Sequence, residues 1–154
     1  MLTPFSSITL YGDLILETLP LVRASWPQVD LTQWQEYVQF FSAQPEAKQA
    51  GVVGLRDSSG CYCGVFACQI DRDLALSPVL AVQLFTTVDV ANSPRTLKAL
   101  LDIVEARASE LGCLAVKIYL SDGQTKLASR LRALGIMEEF SQFYKKVGSQ
   151  PARN

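Results

Sequence analysis

The sequence predicts an α/β (α+β) fold, in which a mixed, mostly antiparallel central sheet carries helices on both faces. Three observations lead to this prediction. Apolar residues repeat at helical spacing through Ala43 and at strand spacing from Ala50. From Leu97 onward, helix-like and strand-like segments alternate, and a helical crossover makes the strands that it joins parallel. The 154 residues are 49% hydrophobic, which suits one domain over residues 1–147, followed by a flexible tail over 148–154.

The segment from Gly12 to Ala43 is predicted to form two helices. They break at Trp26-Pro27, because a proline pushes the residue before it out of helical geometry. In the second helix, Trp34, Val38 and Phe41 lie on one face with Tyr37, and this spacing favours a place in the core.

The next part of the chain is predicted to form an antiparallel hairpin and a third strand. The hairpin turns at Asp57-Ser58-Ser59-Gly60, where glycine can supply a positive φ. The third strand runs over Val79–Val90 and is rich in β-branched residues.

The C-terminal part alternates between helix and strand. Ser93 is a good N-cap and Pro94 suits a first helical turn, while Gly112 and Gly135 each end a helix. The strand "CLAVKIYL" should lie parallel to Val79–Val90, and "MEEFSQFYKKV" is predicted as the last strand.

Charge and composition argue against several functions. Fourteen Lys and Arg against fifteen Asp and Glu leave a net charge of −1 without a basic run, so nucleic acid is an unfavourable partner. The sequence shows neither a charged secretory leader nor an apolar run that spans a bilayer, so we expect a cytoplasmic protein with no membrane partner. It contains no histidine, which removes the commonest general base near neutral pH.

The cysteines offer a weak metal pattern. Cys61, Cys63 and Cys68 form C-x-C-x4-C, and Cys113 stands apart. Tetrahedral zinc sites favour C-x2-4-C pairs with a second pair or histidines downstream. We therefore expect no metal, and interpret the cysteines as small buried thiols in strands.

The order of elements, with "LGC" closing one helix and "LRALGI" the next, resembles the GNAT N-acetyltransferase superfamily from about Leu10 to Val147. In that family the central strand is splayed from its neighbour and pairs with the pantetheine arm of acetyl-coenzyme A. The next helix receives the pyrophosphate at its N-terminus, where free N–H groups and the helix dipole favour an anion. The resemblance implies an acetyl-coenzyme A site, and its predicted residues are Phe85, Thr86, Val88, Asn92, Ser93, Arg95, Thr96, Leu97, Gln124 and Lys126.

The sequence departs from the family in the phosphate loop. The family's Q/R-x-x-G-x-G/A pattern falls on Asn92-Ser93-Pro94-Arg95-Thr96-Leu97, so Arg95 and Leu97 replace its small residues. A side chain at such positions hinders the close backbone approach that glycine permits. Ser93, Thr96 and Arg95 nevertheless offer donors to a phosphate.

The family's general acid is also missing. The pattern N-x-x-A-x-x-L-Y-x-K-x-G-F is matched by "QTKLASRLRALGI", which places Leu131 where the tyrosine would be. We predict Asp89 and Tyr144 as the catalytic residues, with Tyr119 as another proton donor. Asp89 follows the third strand, where ligands gather in open sheets. A turn residue and packing aromatics are the structural alternatives.

Two functions follow from the resemblance. The first is an acyltransferase that moves an acetyl or other acyl group from acyl-coenzyme A to an amine by direct attack. The second is a catalytically degenerate binding or interaction module. The amine acceptor should lie against the N-terminal helices and the hairpin, near Trp26, Trp34, Tyr37 and Tyr62. This region lacks an acidic cluster, which argues against polyamines and aminoglycosides. An exposed edge strand would allow a homodimer.

Overall fold

The computed structural model describes residues 5–88, 94–138 and 145–148. The chain divides into two compact units, Met1–Gln124 and Thr125–Asn154. Within its described residues, the first unit contains a five-stranded sheet in the order β1-β2-β3-β4-β5 and three α-helices. Its elements are β1 (Ser6–Thr9), α1 (Asp13–Ser25), α2 (Leu31–Ser42), a 3-10 turn (Glu46–Lys48), β2 (Gly51–Arg56), β3 (Tyr62–Asp71), β4 (Val79–Thr87), α3 (Arg95–Glu110) and β5 (Ala115–Ile118). The second unit contains α4 (Thr125–Ala133).

The sheet is mixed and mostly antiparallel, as predicted. β1 to β4 pair antiparallel with their neighbours, and β4 pairs parallel with β5. The parallel pair is joined through α3, because parallel neighbours need a long crossover connection. In the described residues, no helix is long and apolar enough to cross a membrane.

Helices α1 and α2 cover one face of the sheet. Trp34, Val38 and Phe41 of α2 are buried, which confirms their predicted place in the core. Trp34 stacks on Tyr37 with ring centroids 5.8 Å apart. The core on this face is completed by residues of α1 and of the strands, among them Ile15, Leu21, Val22, Val52, Val65, Ala67 and Leu84.

Helix α3 covers the opposite face of the sheet. Its buried stripe consists of Leu97, Leu100, Leu101, Val104 and Ala108, which recur at helical spacing. A Cβ built on Gly64 of β3 would lie 3.3 Å from Leu100 Cδ2, so the helix packs closely on this strand. Helices therefore lie on both faces of the sheet.

The helix boundaries have clear local causes. Asp30 caps α2 through its side chain, which accepts from Gln33 N at 2.8 Å, while Gln33 Oε1 accepts from Asp30 N at 2.9 Å. This reciprocal pair satisfies two amides at the helix start. At the ends of α3 and α4, Gly112 and Gly135 have φ of 73° and 83°, which confirms both predicted stops.

The structure differs from the prediction at β1 and at the end of the third strand, while the predicted last strand and the predicted N-cap of α3 lie largely or wholly outside the described residues. The sequence did not predict β1, a short, largely exposed edge strand that lacks an apolar alternation. The third strand ends at Thr87, before Val90. Most of the predicted last strand over 137–147 lies outside the described residues; the residues that are described, 137–138 and 145–147, have no strand structure. Ser93 also lies outside them, and α3 begins at Arg95 with Pro94 at its N-cap position.

Gly54 of β2 is expected to be intolerant of a side chain. A Cβ there would lie 2.7 Å from Tyr62 Cε1 and 3.0 Å from Leu10 Cδ2. Gly54→Ala should lower the free energy of unfolding by about 1–3 kcal/mol, because overpacking forces neighbours to shift. Urea denaturation measures the change. Gly51→Ala in the same strand is the matched control, since its Cβ meets only Arg107 Nη2 at 3.9 Å. Equal losses for both variants would contradict this account.

Candidate functional site

Strands β4 and β5 separate halfway along β4. They pair from Val79↔Ala115 to Val82↔Ile118, and Tyr119 N donates the last bond of this pair to Val82 O at 2.9 Å. β5 then ends, while β4 continues to Thr87. In the part of the chain that the structure describes, the second half of β4 has no strand partner on this side, and the sheet is split there.

A β-bulge lies where the strands part. Ala67 pairs with Leu84 and Cys68 pairs with Val82, so Gln83 is the residue of β4 without a counterpart. Bulges disrupt the ladder, bend the strand and often occur beside active sites. The Gln83 side chain is exposed, while its neighbours Val82 and Leu84 are buried on opposite faces.

Gln124 braces the open end of the split. Its Nε2 donates to Phe85 O at 2.7 Å, and its Oε1 accepts from Ser121 N at 2.9 Å. The side chain is buried, so both ends of the amide are satisfied away from water. Gln124 was predicted as a coenzyme-binding residue. In the structure its side-chain amide joins β4 to the loop after β5 through these two hydrogen bonds. A carbonyl has two lone pairs, so Phe85 O retains one for another donor.

Thr86 lies on the face of β4 that α1 covers. Its Oγ1 is 2.7 Å from Ser25 Oγ at the end of α1, and the Thr86 side chain is buried. Val88, two residues further on, is half-buried against the same core and donates its N–H to Cys63 O at 2.8 Å. Phe85 is buried on the opposite face. The three predicted residues of this segment thus lie on both faces of β4 near its end: Thr86 and Val88 on the α1 side, and Phe85 on the opposite side.

Helix α3 begins shortly after β4. Arg95 is exposed and Thr96 half-buried, whereas Leu97 is only 2% exposed and belongs to the buried stripe of the helix. The first amides of a helix have no partner one turn earlier, so the start of α3 offers N–H groups and the positive end of its dipole. Leu97 points into the core and leaves the exposed start of the helix to Arg95 and Thr96.

The remaining predicted site residues lie outside the described residues or in α4. Asp89, Asn92, Ser93 and Tyr144 lie outside the described residues. Lys126 is exposed in the first turn of α4, in the second unit. Leu131, at the position of the family's tyrosine, is a buried residue of the same helix.

A shallow groove of about 540 Å³ lies between α1 and the β2–β3 turn. Its walls are Glu17, Pro20, Leu21 and Ala24 on one side, Gly60, Cys61 and Tyr62 on the other, with Val88 at the end of β4. Of the aromatics predicted near an acceptor, Tyr62 lines this groove. Trp34 is a core residue, and Tyr37 and Trp26 are half-buried against the same core. Glu17 was not predicted, because an isolated glutamate on an amphipathic helix carries no sequence signal.

Burial governs the tyrosine pKa values in this region. Burial raises the pKa of Tyr37 to about 12. Burial also raises the pKa of Tyr62; the Arg56 guanidinium acts in the opposite direction, and the Glu17 carboxylate adds to the rise. The Tyr62 hydroxyl oxygen is buried and has no hydrogen-bond partner among the described residues. Both phenols are therefore protonated near neutral pH.

The cysteines match the predicted packing role only in part. Cys63 and Cys68 are buried in β3, and burial raises the pKa of each thiol. Cys61 is exposed just before the strand, which corrects its interpretation as a buried strand thiol. The turn places it there, because Asp57 accepts from Cys61 N at 3.1 Å. Among the residues that the structure describes, no group of three His, Cys, Asp or Glu could hold a metal ion.

The unpaired end of β4, the bulge at Gln83 and the start of α3 together form the candidate site. No protein-family model and no curated protein matches the sequence. Solved structures match in fold. An aminoglycoside N-acetyltransferase in complex with CoA has a TM-score of 0.74 at 17% identity, covering 94% of this chain and 95% of its own.

Two further structures extend the comparison. A ribosomal-protein-alanine N-acetyltransferase from Brucella melitensis has a TM-score of 0.69 at 14% identity, covering 92% of this chain and 98% of its own. A transcriptional regulator from Bacillus halodurans has a TM-score of 0.74 at 8% identity, and the match covers 92% of this chain and 99% of the regulator. The chain has the fold of the GNAT acetyltransferases, which confirms the predicted resemblance at the level of the fold.

Proposed function

We propose that this protein transfers an acetyl or other acyl group from acyl-coenzyme A to an amine. The observation that supports the proposal is the split between β4 and β5, which leaves Gln83–Thr87 without a strand partner on one side, where Phe85 O accepts from Gln124. An extended amide chain such as pantetheine can pair with a strand whose own neighbour has ended. In this proposal the diphosphate binds at the start of α3, because a helix N-terminus favours an anion.

The chemistry requires little acid–base help from the protein. The amine nitrogen attacks the thioester carbonyl carbon, a tetrahedral intermediate forms, and the C–S bond breaks to release the coenzyme A thiolate. The nitrogen loses its proton to solvent or to a side chain, and the thiolate takes up a proton. Holding thioester and amine together supplies much of the acceleration, and backbone N–H groups beside the bulge can stabilise the oxyanion. Asp89 and Tyr144 remain our candidates for the proton transfers.

A binding or interaction module is the second candidate. Arg95 and Leu97 replace the small residues of the family's phosphate loop, and Leu131 replaces its tyrosine. The similarity to a transcriptional regulator also supports this candidate, because the fold occurs in a protein with another named role. Binding of the coenzyme distinguishes the two.

Acetyl-coenzyme A is expected to stabilise the protein. A ligand at 100 times its dissociation constant adds about 2.7 kcal/mol, which corresponds to a rise in Tm of about 5–10 °C for a chain of this size. Thermal unfolding with and without millimolar acetyl-coenzyme A measures the shift. An unchanged Tm would favour the binding module.

Arg95→Ala is expected to reduce this shift, because an exposed guanidinium at the start of α3 can meet a phosphate as a charge-assisted donor. Arg72→Ala is the matched control, since Arg72 is an exposed arginine beside the start of β4, away from the split. Pantetheine, which lacks the phosphates, should stabilise both variants equally. A full acetyl-coenzyme A shift in Arg95→Ala would place the phosphates elsewhere.

A further inference from the structure

We propose that the groove between α1 and the β2–β3 turn receives the acceptor amine, and that it selects a single primary ammonium on a small apolar body over a polycation. The inference rests on the proposed function and specifies its substrate class. Among the described residues that line the groove, Glu17 supplies the one carboxylate, and the walls are otherwise mainly apolar, from Pro20, Leu21, Ala24 and Val88.

The groove meets β4 at the point where acyl transfer is proposed. Val88 closes it, and Leu84, Thr86 and Val88 all belong to the α1 side of the sheet. Ser25, which contacts Thr86 at 2.7 Å, directly follows the groove residue Ala24. An amine in the groove therefore approaches the last residues of β4 from the face opposite α3.

Tyr62 provides a polar group that the folded protein leaves unused. Its hydroxyl oxygen is buried without a partner among residues 5–88, 94–138 and 145–148, although the ring packs against the core. An unsatisfied buried hydroxyl is costly, so such groups are uncommon unless a ligand or water completes them. Glu17 lies near enough to contribute to the raised pKa of Tyr62. The Glu17 carboxylate and the Tyr62 phenol oxygen can both accept hydrogen bonds, so together they suit a single ammonium group.

The surrounding charges disfavour further positive groups. The neighbouring carboxylate, Asp57, is already used by its own turn, where Oδ1 accepts from Ser59 N at 2.9 Å and Ser59 Oγ at 2.6 Å. The Arg56 guanidinium lies 5.8 Å from the centre of the Tyr62 ring and is positive. Among the described residues around the groove, a substrate with several ammonium groups would meet the Glu17 carboxylate and the repelling Arg56 guanidinium, so its additional charges gain no compensation from them.

Calorimetric titration of the full chain with 2-phenylethylamine, 2-phenylethanol and spermidine tests this inference. We expect 2-phenylethylamine to bind more tightly than the uncharged alcohol and than spermidine. Glu17→Gln should weaken its binding about three- to fivefold, as for a partly exposed ion pair. Tyr62→Phe should weaken it about threefold while leaving Tm unchanged or higher, because the variant removes an unsatisfied hydroxyl. Glu36→Gln, an exposed glutamate of α2 outside the groove, should have no effect.

The outcomes separate this inference from the proposed function. Acetyl transfer to spermidine with none to 2-phenylethylamine would support the transferase and overturn the inference. Undiminished 2-phenylethylamine binding by Glu17→Gln would also overturn it. Binding of 2-phenylethylamine that depends on Glu17, in a protein that acetyl-coenzyme A does not stabilise, would support the amine groove and overturn the transferase.

Discussion

Replacement of Trp34 by alanine is expected to lower the free energy of unfolding by about 3–5 kcal/mol. The side chain is 1% exposed in the core between α1, α2 and the sheet. Its Nε1 donates to Ile15 O at 3.1 Å and Thr18 Oγ1 at 2.9 Å. The substitution therefore removes a large buried ring and two hydrogen bonds that join the helices. Urea denaturation followed by circular dichroism measures the loss.

Two further variants separate the causes of this loss. Trp34→Phe keeps most of the ring and removes the donor, so it should cost about 1–3 kcal/mol. Trp26→Ala truncates a half-buried tryptophan beside the same core and should cost less than Trp34→Ala. A loss for Trp26→Ala as large as for Trp34→Ala would contradict the assignment of the core to α2.

Gln124→Leu is expected to lower the free energy of unfolding by about 1–3 kcal/mol and to diminish stabilisation by acetyl-coenzyme A. The variant leaves Phe85 O and Ser121 N without the partners that Gln124 supplies, and such buried groups are costly when unpaired. The coenzyme effect follows because the amide ties the open end of the split to the loop after β5. Denaturation and thermal shift measure the two effects separately.

Gln69→Leu is the matched control for this brace. Gln69 lies in β3, and its Oε1 is buried with no partner among the described residues. The same substitution there removes an unsatisfied acceptor, so its cost should be smaller and the coenzyme effect should remain. Equal behaviour of both variants would show that Gln124 has no special part in the split.

The fold could be predicted where single residues mark the ends of elements. The break at Trp26-Pro27, the turn ending in Gly60 and the caps at Gly112 and Gly135 are local signals, and each lies where the sequence predicted it. β1 carries no such signal, because three of its four residues are exposed and it depends on pairing with β2.

The candidate site was harder to predict from the sequence, because it is formed by contacts between residues that are far apart along the chain. The bulge at Gln83 depends on how β4 pairs with β3, and the pattern of apolar residues in β4 alone does not reveal this pairing. Glu17 and Tyr62 come together through the packing of α1 on the hairpin, although 44 positions separate them in the sequence (62 − 17 − 1). Trp34 and Tyr37, whose amphipathic spacing made them visible, are packing residues.

The bulge at Gln83 decides which face of the sheet each later side chain of β4 occupies. Successive side chains of a regular strand point to opposite faces, and a bulge adds one residue without continuing that alternation. With Gln83 bulged, the Thr86 hydroxyl lies beside Ser25 and the Phe85 ring is on the face that α3 covers. Regular alternation through Gln83 would instead turn the Phe85 ring toward Ser25 and the Thr86 hydroxyl toward the leucines of α3. The bulge, whose own side chain is exposed, therefore keeps a hydroxyl rather than an aromatic ring next to the end of α1.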